Sequence, residues 1–211
     1  MTANDDGKRR AGQLALPLSW DGGSTDRAFL LSDANARVVR HLDHWTVWPV
    51  RTSVLVGPHR SGKSTLARHF ARNSGGRVSD DADRANEVDI FHAWNDAQHD
   101  NVPLLLVSQL PPAQWAVALP DLRSRLSAAP VVTLDEPDDM LALALIEAHL
   151  AHVGIAYAPD LPSYLHRRIE RSYAAIAAVL DALVAASLAS GRRLSVPVAK
   201  EALHFAGISL I

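Results

Sequence analysis

The chain has no cysteine among its 211 residues, which excludes disulfide scaffolds, thiolate zinc sites and cysteine nucleophiles and suits a reducing compartment. It has no excess charge of either sign. Its 21 Lys+Arg against 23 Asp+Glu leave −2, so wholesale coating of nucleic acid is not expected, although a local basic patch would not show in the sum. No unbroken apolar run approaches the roughly 18 residues of a membrane helix, and the N-terminus is too polar for a signal peptide. The expectation is a cytoplasmic protein that does not cross a membrane. Low-complexity tracts and internal repeats are missing as well. What is present is ordinary: 48% hydrophobic and 21% charged residues are enough to bury a core, in one domain with a small appendage.

Along the chain, Met1 to Gly12 are polar and lack apolar periodicity, so they read as a tail. An apolar string broken by Pro17 follows, Gln13-Leu14-Ala15-Leu16-Pro17-Leu18, and Asp21-Gly22-Gly23-Ser24 closes it with loop chemistry. The spacing of Val38, Val39, Leu42 and Trp45 predicts a helix over 37–48 that Pro49 stops. Short β-rich or unbroken apolar runs at 52–56, 104–107 and 131–134 predict buried strands, and helical spacings at 63–75, 86–98 and 119–126 separate them. Strand alternating with helix implies a parallel sheet with crossover helices. After Pro137 the strand signal stops and helices are predicted to about 153, then over 160–170, 172–189 and 197–205. The expected organisation is a tail over 1–24, an α/β nucleotide-binding domain over 25–136 and a small all-helical domain over 137–211.

Gly57-Pro58-His59-Arg60-Ser61-Gly62-Lys63-Ser64 matches G-x-x-x-x-G-K-[ST] between a predicted strand and a predicted helix. The glycines let backbone N–H groups face a phosphate, the helix N-terminus adds partial positive charge, Lys63 supplies a point charge and Ser64 a hydroxyl for Mg²⁺; Thr65 is the next helical residue. Nucleotide binding is the firmest inference. Hydrolysis further needs a carboxylate at the end of a neighbouring strand. Asp80 or Asp81, in Arg77-Val78-Ser79-Asp80-Asp81, would serve, against the alternative of a surface acidic turn, since only Val78 is apolar before them. The ten histidines form no ligand cluster with acids at coordinating spacing; His41 and His44 read as interfacial or solvated rather than as ligands.

Further stretches stand in a telling order. They are Phe29-Leu30 with Asn35, Ser79-Asp80-Asp81-Ala82-Asp83-Arg84, Ser108 closing a Leu-Leu-Leu-Val run, Leu119-Pro120-Asp121-Leu122-Arg123-Ser124-Arg125-Leu126, and Tyr164 to Ser172. Together with the phosphate loop they resemble the DnaA branch of the AAA+ ATPases, from Gln13 to about Gly207. The resemblance implies an AAA+ P-loop sheet followed by a helical lid, with ADP or ATP and Mg²⁺ as cofactors. It implies adenosine packing near Phe29 and Asn35, a Walker B-like Mg²⁺ ligand at Asp80 or Asp81, Ser108 as a polar sensor, Arg125 as an arginine finger, and Arg171 as the lid residue nearest the phosphates. The match frays there. The arginine that initiators carry three residues later is Ala174, and Arg168 competes with Arg171 for the role. The compact stretch before Asp80 implies a missing peripheral strand and a protein that holds ADP rather than turning over ATP.

Two features set the chain apart from an initiator. Gln13, Leu14, Leu16, Pro17 and Leu18 resemble the peptide by which small regulators of this branch bind the sliding clamp, the beta subunit of DNA polymerase III: a glutamine for a polar subsite and leucines for an apolar cleft. The other reading is an N-terminal plug docked on its own domain. The chain also runs only to Ile211, so sequence-specific DNA binding through a further domain is not expected. The resemblance thus implies a regulator that rides on the clamp and promotes hydrolysis of DnaA-bound ATP, offering Arg125 in trans, with a homodimer left open. Arg125 in a helix-surface salt bridge is the plainer reading. The rivals are an autonomous small P-loop ATPase or kinase using Asp80, and an adaptor that recruits another replication protein.

Overall fold

A computed structural model describes residues 30–210. Phe29 and the segment Gln13 to Leu18 lie outside the described residues. The sheet is parallel and four-stranded, in the order β2-β3-β1-β4. Its strands are β1 (Thr52–Val56), β2 (Arg77–Ser79), β3 (Leu104–Ser108) and β4 (Val131–Thr133).

The two central strands are buried throughout, as expected of a parallel sheet covered on both faces. Side chains alternate between those faces. Leu55, Leu105, Val107 and Val132 pack with Val38 and Leu42 of α1 (Asp33–Asp43) and with Leu66 and Phe70 of α2 (Lys63–Ser74). Val54, Val56, Leu104 and Leu106 pack with Ile90 and Trp94 of α3 (Glu87–His99) and with Leu122 and Leu126 of α4 (Pro120–Ala128). A period of two along each strand therefore builds a three-layer sandwich from one sheet.

The helical part follows. It comprises α5 (Asp139–Val153), α6 (Leu161–His166), α7 (Tyr173–Ser190) and α8 (Val196–Phe205) around a core that includes Ile146, Leu150, Leu165, Leu180 and Leu183. Side-chain caps start α5 and α7 where the sequence places them. Asp138 accepts a hydrogen bond from the Leu141 N–H, 2.7 Å, and Ser172 accepts one from the Ala175 N–H, 3.1 Å. Gly154 and Gly191 stop α5 and α7 in the left-handed conformation that favours glycine.

Several expectations need correction. The helix predicted over 37–48 starts at Asp33, ends at Asp43 and passes into a 3₁₀ turn over Trp45–Val47. Arg77–Ser79 is a true edge strand on β3 although mostly exposed; backbone pairing, not apolarity, makes it one. The predicted 160–170 helix is only Leu161–His166, and the helical part also contains a bridge between Tyr157 and Leu194. Finally, α7 is long and apolar enough by length and composition to cross a membrane. Its central Asp181 broke the apolar run in the sequence; Ile176, Val179, Leu180 and Leu183 are buried in the helical core.

Candidate functional site

Crossover helices in a parallel sheet leave a crevice at the carboxyl ends of the strands. Three of the predicted features converge there. Gly57 follows β1, Asp80 follows β2, and Ser108 ends β3. A cavity of about 580 Å³ opens at this edge, walled by Arg60 to Thr65, Asp80 and Asp81, and on the opposite side by Leu141, Leu145, Tyr173 and Ala177 of the helical part. That is within the usual size of a small-ligand pocket.

The loop geometry follows from its residues. A Cβ at Gly57 would lie 2.9 Å from Leu134 Cβ and 3.3 Å from the Leu134 carbonyl oxygen, so only glycine lets the chain leave β1 this close to the end of β4. Gly62 caps α2 at φ +90°, a value that suits glycine. Arg60 holds φ +65°, unusual for a residue with a side chain. The Lys63 ammonium donates to the carbonyls of Gly57, 2.8 Å, and Pro58, 2.7 Å. Burial pulls its pKa below the ordinary lysine value, against the opposing pull of Asp80, Asp81 and Asp83. Ser61 Oγ is buried with no hydrogen-bond partner among the described residues. An unpartnered hydroxyl beside a cation and the start of a helix is the donor set a phosphate satisfies.

Ser64 Oγ donates to Asp80 Oδ2 at 3.2 Å. A hydroxyl and a carboxylate facing each other across the loop are hard oxygen donors of the kind Mg²⁺ takes with phosphate. Asp81 also lines the cavity, at φ +48°. His59 and Thr65 complete the wall, and the Thr65 hydroxyl accepts from Arg68 at 3.2 Å.

On the far side, Asn35 is almost fully buried. Its Oδ1 accepts from the Ser32 N–H, 2.9 Å, and its Nδ2 donates to the Leu30 carbonyl, 2.7 Å, pinning Leu30 against the cavity. A second cavity of about 470 Å³, lined mainly by apolar side chains of α5 and α7, adjoins the first and shares Leu30, Arg60, Leu145, Tyr173 and Ala177 with it. The polar end offers cations and hydroxyls; the apolar end offers room for a flat, weakly polar group. Tyr173 stands between them, its hydroxyl pushed up to about 12 by burial first and then by Glu136, Asp138 and Asp135, so it stays protonated.

Other predicted residues are not brought to the cavity. The Ser108 hydroxyl is buried and donates to the Leu110 carbonyl, 2.8 Å; its neighbour Gln109 lines the cavity instead. Arg171 is exposed and pairs with Asp139, 3.1 Å, and Arg168 lies over the Tyr164 ring, 4.4 Å from its centroid. Neither lines the cavity. Arg125 sits on α4 against Asp121, Asn95 and the Phe91 ring, away from its own chain's cavity. Gln109, Tyr173 and Leu145 are site residues that motif reading missed. Gln109 had one signal, its place next to a strand-ending polar residue; Tyr173 and Leu145 had none, since the packing of the lid brings them there.

Comparison with known proteins agrees with this architecture. Residues 139–203 match the family described as Hda, lid domain. The crystal structure of domain III of the Thermotoga maritima replication initiation protein DnaA superposes with a TM-score of 0.70 at 12% identity, covering 83% of this chain and 93% of that one. AMPPCP-bound DnaA from Aquifex aeolicus gives 0.55 at 16% identity over 73% of this chain, which spans 62% of that structure's length. The Thermotoga maritima RuvB Holliday junction branch migration motor gives 0.56 at 13%, over 81% and 66% of the two chains. At such identities the structural likeness is one of fold: a parallel AAA+ sheet flanked by helices, followed by a helical part.

Proposed function

We propose that this chain, whose residues 139–203 match the Hda lid domain and whose fold is that of DnaA domain III, is a nucleotide-bound regulator of replication initiation, which engages the polymerase sliding clamp and promotes hydrolysis of DnaA-bound ATP. The observation that carries this reading is the Hda-type lid over residues 139–203, joined to a phosphate loop with Ser64 facing Asp80.

In this reading Lys63, Ser61 and the N-terminal amides of α2 hold the phosphates of ADP or ATP, and Ser64 with Asp80 holds Mg²⁺. Held there, the ion would neutralise part of the phosphate charge. Leu30, Leu145 and Tyr173 enclose the base, with Phe29 proposed beside them. Gln13 to Leu18 is the clamp peptide, and Arg125 is the guanidinium offered in trans to the nucleotide on DnaA, where it would neutralise charge on the transferred phosphoryl group.

The test is reconstitution. With DNA-loaded clamp and ATP-bound DnaA, the protein should accelerate ADP formation, and Gln13→Ala with Leu16→Ala should abolish clamp binding by calorimetry while leaving the unfolding midpoint unchanged. Normal clamp binding by that double variant would remove the peptide from the account.

A second reading, an autonomous P-loop ATPase or kinase, draws on the same Ser64–Asp80 contact. It requires turnover by the protein alone that Lys63→Ala eliminates. Tightly retained ADP without turnover favours the regulator.

A further inference from the structure

The lid helix α7 reads YAAIAAVLDALVAASLAS, in which Asp181 is the single charged residue. The phosphate loop Gly57 to Ser64 contains a single arginine, Arg60. These two meet: Arg60 Nη1 lies 2.7 Å from Asp181 Oδ2. Arg60 reaches α7 from a left-handed backbone conformation, φ +65°, which a residue with a side chain holds only when its surroundings enforce it. It stands at the boundary between the polar and the apolar cavities and lines both.

The remaining charges make the contact informative. Among the described residues, the arginine and lysine side chains lining the two cavities are Arg60 and Lys63, both from the loop. The lid's own arginine at the expected place, Arg171, turns outward to Asp139, and Ala174, on the first turn of α7, has no charge to offer. The lid therefore presents a carboxylate to the loop rather than a cation to the phosphates.

We propose that Arg60 and Asp181 form a tether through which the phosphate loop positions the lid, and that in this chain the tether, not a lid arginine, couples lid closure to nucleotide retention. Arg60 and Asp181 are positioning residues: they act by holding α7, and with it Tyr173 and Ala177, against the cavity. The coupling half rests on the nucleotide reading above. Both partners are partly exposed, 43% and 51%, so the effect is modest, at the upper end of what exposed pairs contribute.

The absence of cysteine makes a direct measurement practical. Spin labels at Asp96→Cys on α3 and His204→Cys on α8 report the distance between the two parts by double electron–electron resonance, with and without nucleotide. The expected result is one narrow distribution that broadens in Asp181→Asn and in Arg60→Ala and narrows again in the charge swap Arg60→Asp with Asp181→Arg. In parallel, dissociation of a fluorescent ADP analogue should accelerate about three- to five-fold in either single variant and recover in the swap, a fold-change in keeping with one exposed pair. Glu201→Gln, which breaks the exposed Arg192–Glu201 pair within the lid, should alter neither readout. An unbroadened distribution in Asp181→Asn, or a swap that fails to restore it, would overturn the tether. Failure of the unsubstituted protein to take up the ADP analogue would overturn the nucleotide reading instead, and the spin-label distances judge the tether in either case.

Discussion

Asp121 clasps Arg125 one turn along α4: Nε donates to Oδ1 at 3.2 Å and Nη2 to Oδ2 at 2.9 Å, while Nη1 meets Asn95 Oδ1 and the guanidinium lies 4.6 Å from the Phe91 ring centroid. The arginine is thus held in one orientation on an accessible helix face. A fork fixed along its Nε edge leaves further N–H groups at the other end for a partner's anion.

Arg125→Ala should therefore separate function from fold. The exposed i,i+4 pair stabilises the helix weakly, so its loss should cost less than about 1 kcal/mol in urea unfolding. Nucleotide and clamp binding should persist. Stimulation of DnaA-bound ATP hydrolysis should drop by a factor on the order of 10³ or more, the scale of a lost arginine finger. Unchanged stimulation would show that the fork is only a surface salt bridge.

The Ser64–Asp80 contact predicts a metal-specific defect. Asp80→Asn and Ser64→Ala should still bind a fluorescent ADP analogue in EDTA. The increase in affinity on adding Mg²⁺ that is expected of the unsubstituted protein should shrink to near nothing in both. Lys63→Ala should instead lose binding in either condition. A full Mg²⁺ response in Asp80→Asn would move the ion's ligand elsewhere, with Asp81 the next residue to substitute.

Gly57→Ala inserts a Cβ 2.9 Å from Leu134 Cβ. That atom and the Leu134 carbonyl oxygen, 3.3 Å away, are not flexible side-chain tips, so the loop or β4 must shift, at a cost of about 1–3 kcal/mol. Thermal unfolding should fall accordingly, and phosphate binding should weaken with it. A variant of unchanged stability and affinity would mean that β4 yields more easily than close packing suggests.

His41 predicts a pH dependence. Its Nε2 lies 2.7 Å from Ser53 Oγ, whose own hydrogen goes to the Pro130 carbonyl, 3.0 Å, so the imidazole nitrogen donates; the ring stacks on Trp48. Burial lowers its pKa from the ordinary 6.5. The unfolded chain then binds the proton more tightly than the folded one, so this contribution to stability is complete above about pH 6.5 and is lost as pH falls through and below it. Urea midpoints between pH 8 and pH 5 should fall more steeply for the unsubstituted protein than for His41→Gln. Parallel slopes would reject the assignment.

Much of the α/β part was legible because its signals are local. A buried strand, a glycine, four residues and Gly-Lys-Ser at a helix start occupy one short stretch, and the left-handed backbone at Gly62 accounts for that glycine locally, whereas the need for glycine at position 57 comes from Leu134 at the end of β4. The strand before Asp80 was harder to read. Arg77–Ser79 shows little apolar pattern because it is an exposed edge, and its status comes from hydrogen bonding to β3, which no short window contains.

Side-chain direction was the other obscure quantity. Ser108 and Gln109 stand at the same strand end, yet only Gln109 lines the cavity, since the serine hydroxyl finds the Leu110 carbonyl first. Arg171 stands near the start of α7, and its pairing with Asp139 takes it away from the cavity.

The G-x-x-x-x-G-K-S loop, the alternation of strand and helix, and the start of a helical part after Pro137 can all be read from short stretches of chain, because periodicity, caps and turn residues act over a few positions. Which distant groups meet is settled by packing. Ser64 finds Asp80 across 16 residues, and Arg60 finds Asp181 across 121. Contacts of that separation depend on how the sheet twists and where the lid packs, quantities set by the whole core at once rather than by any segment of the chain.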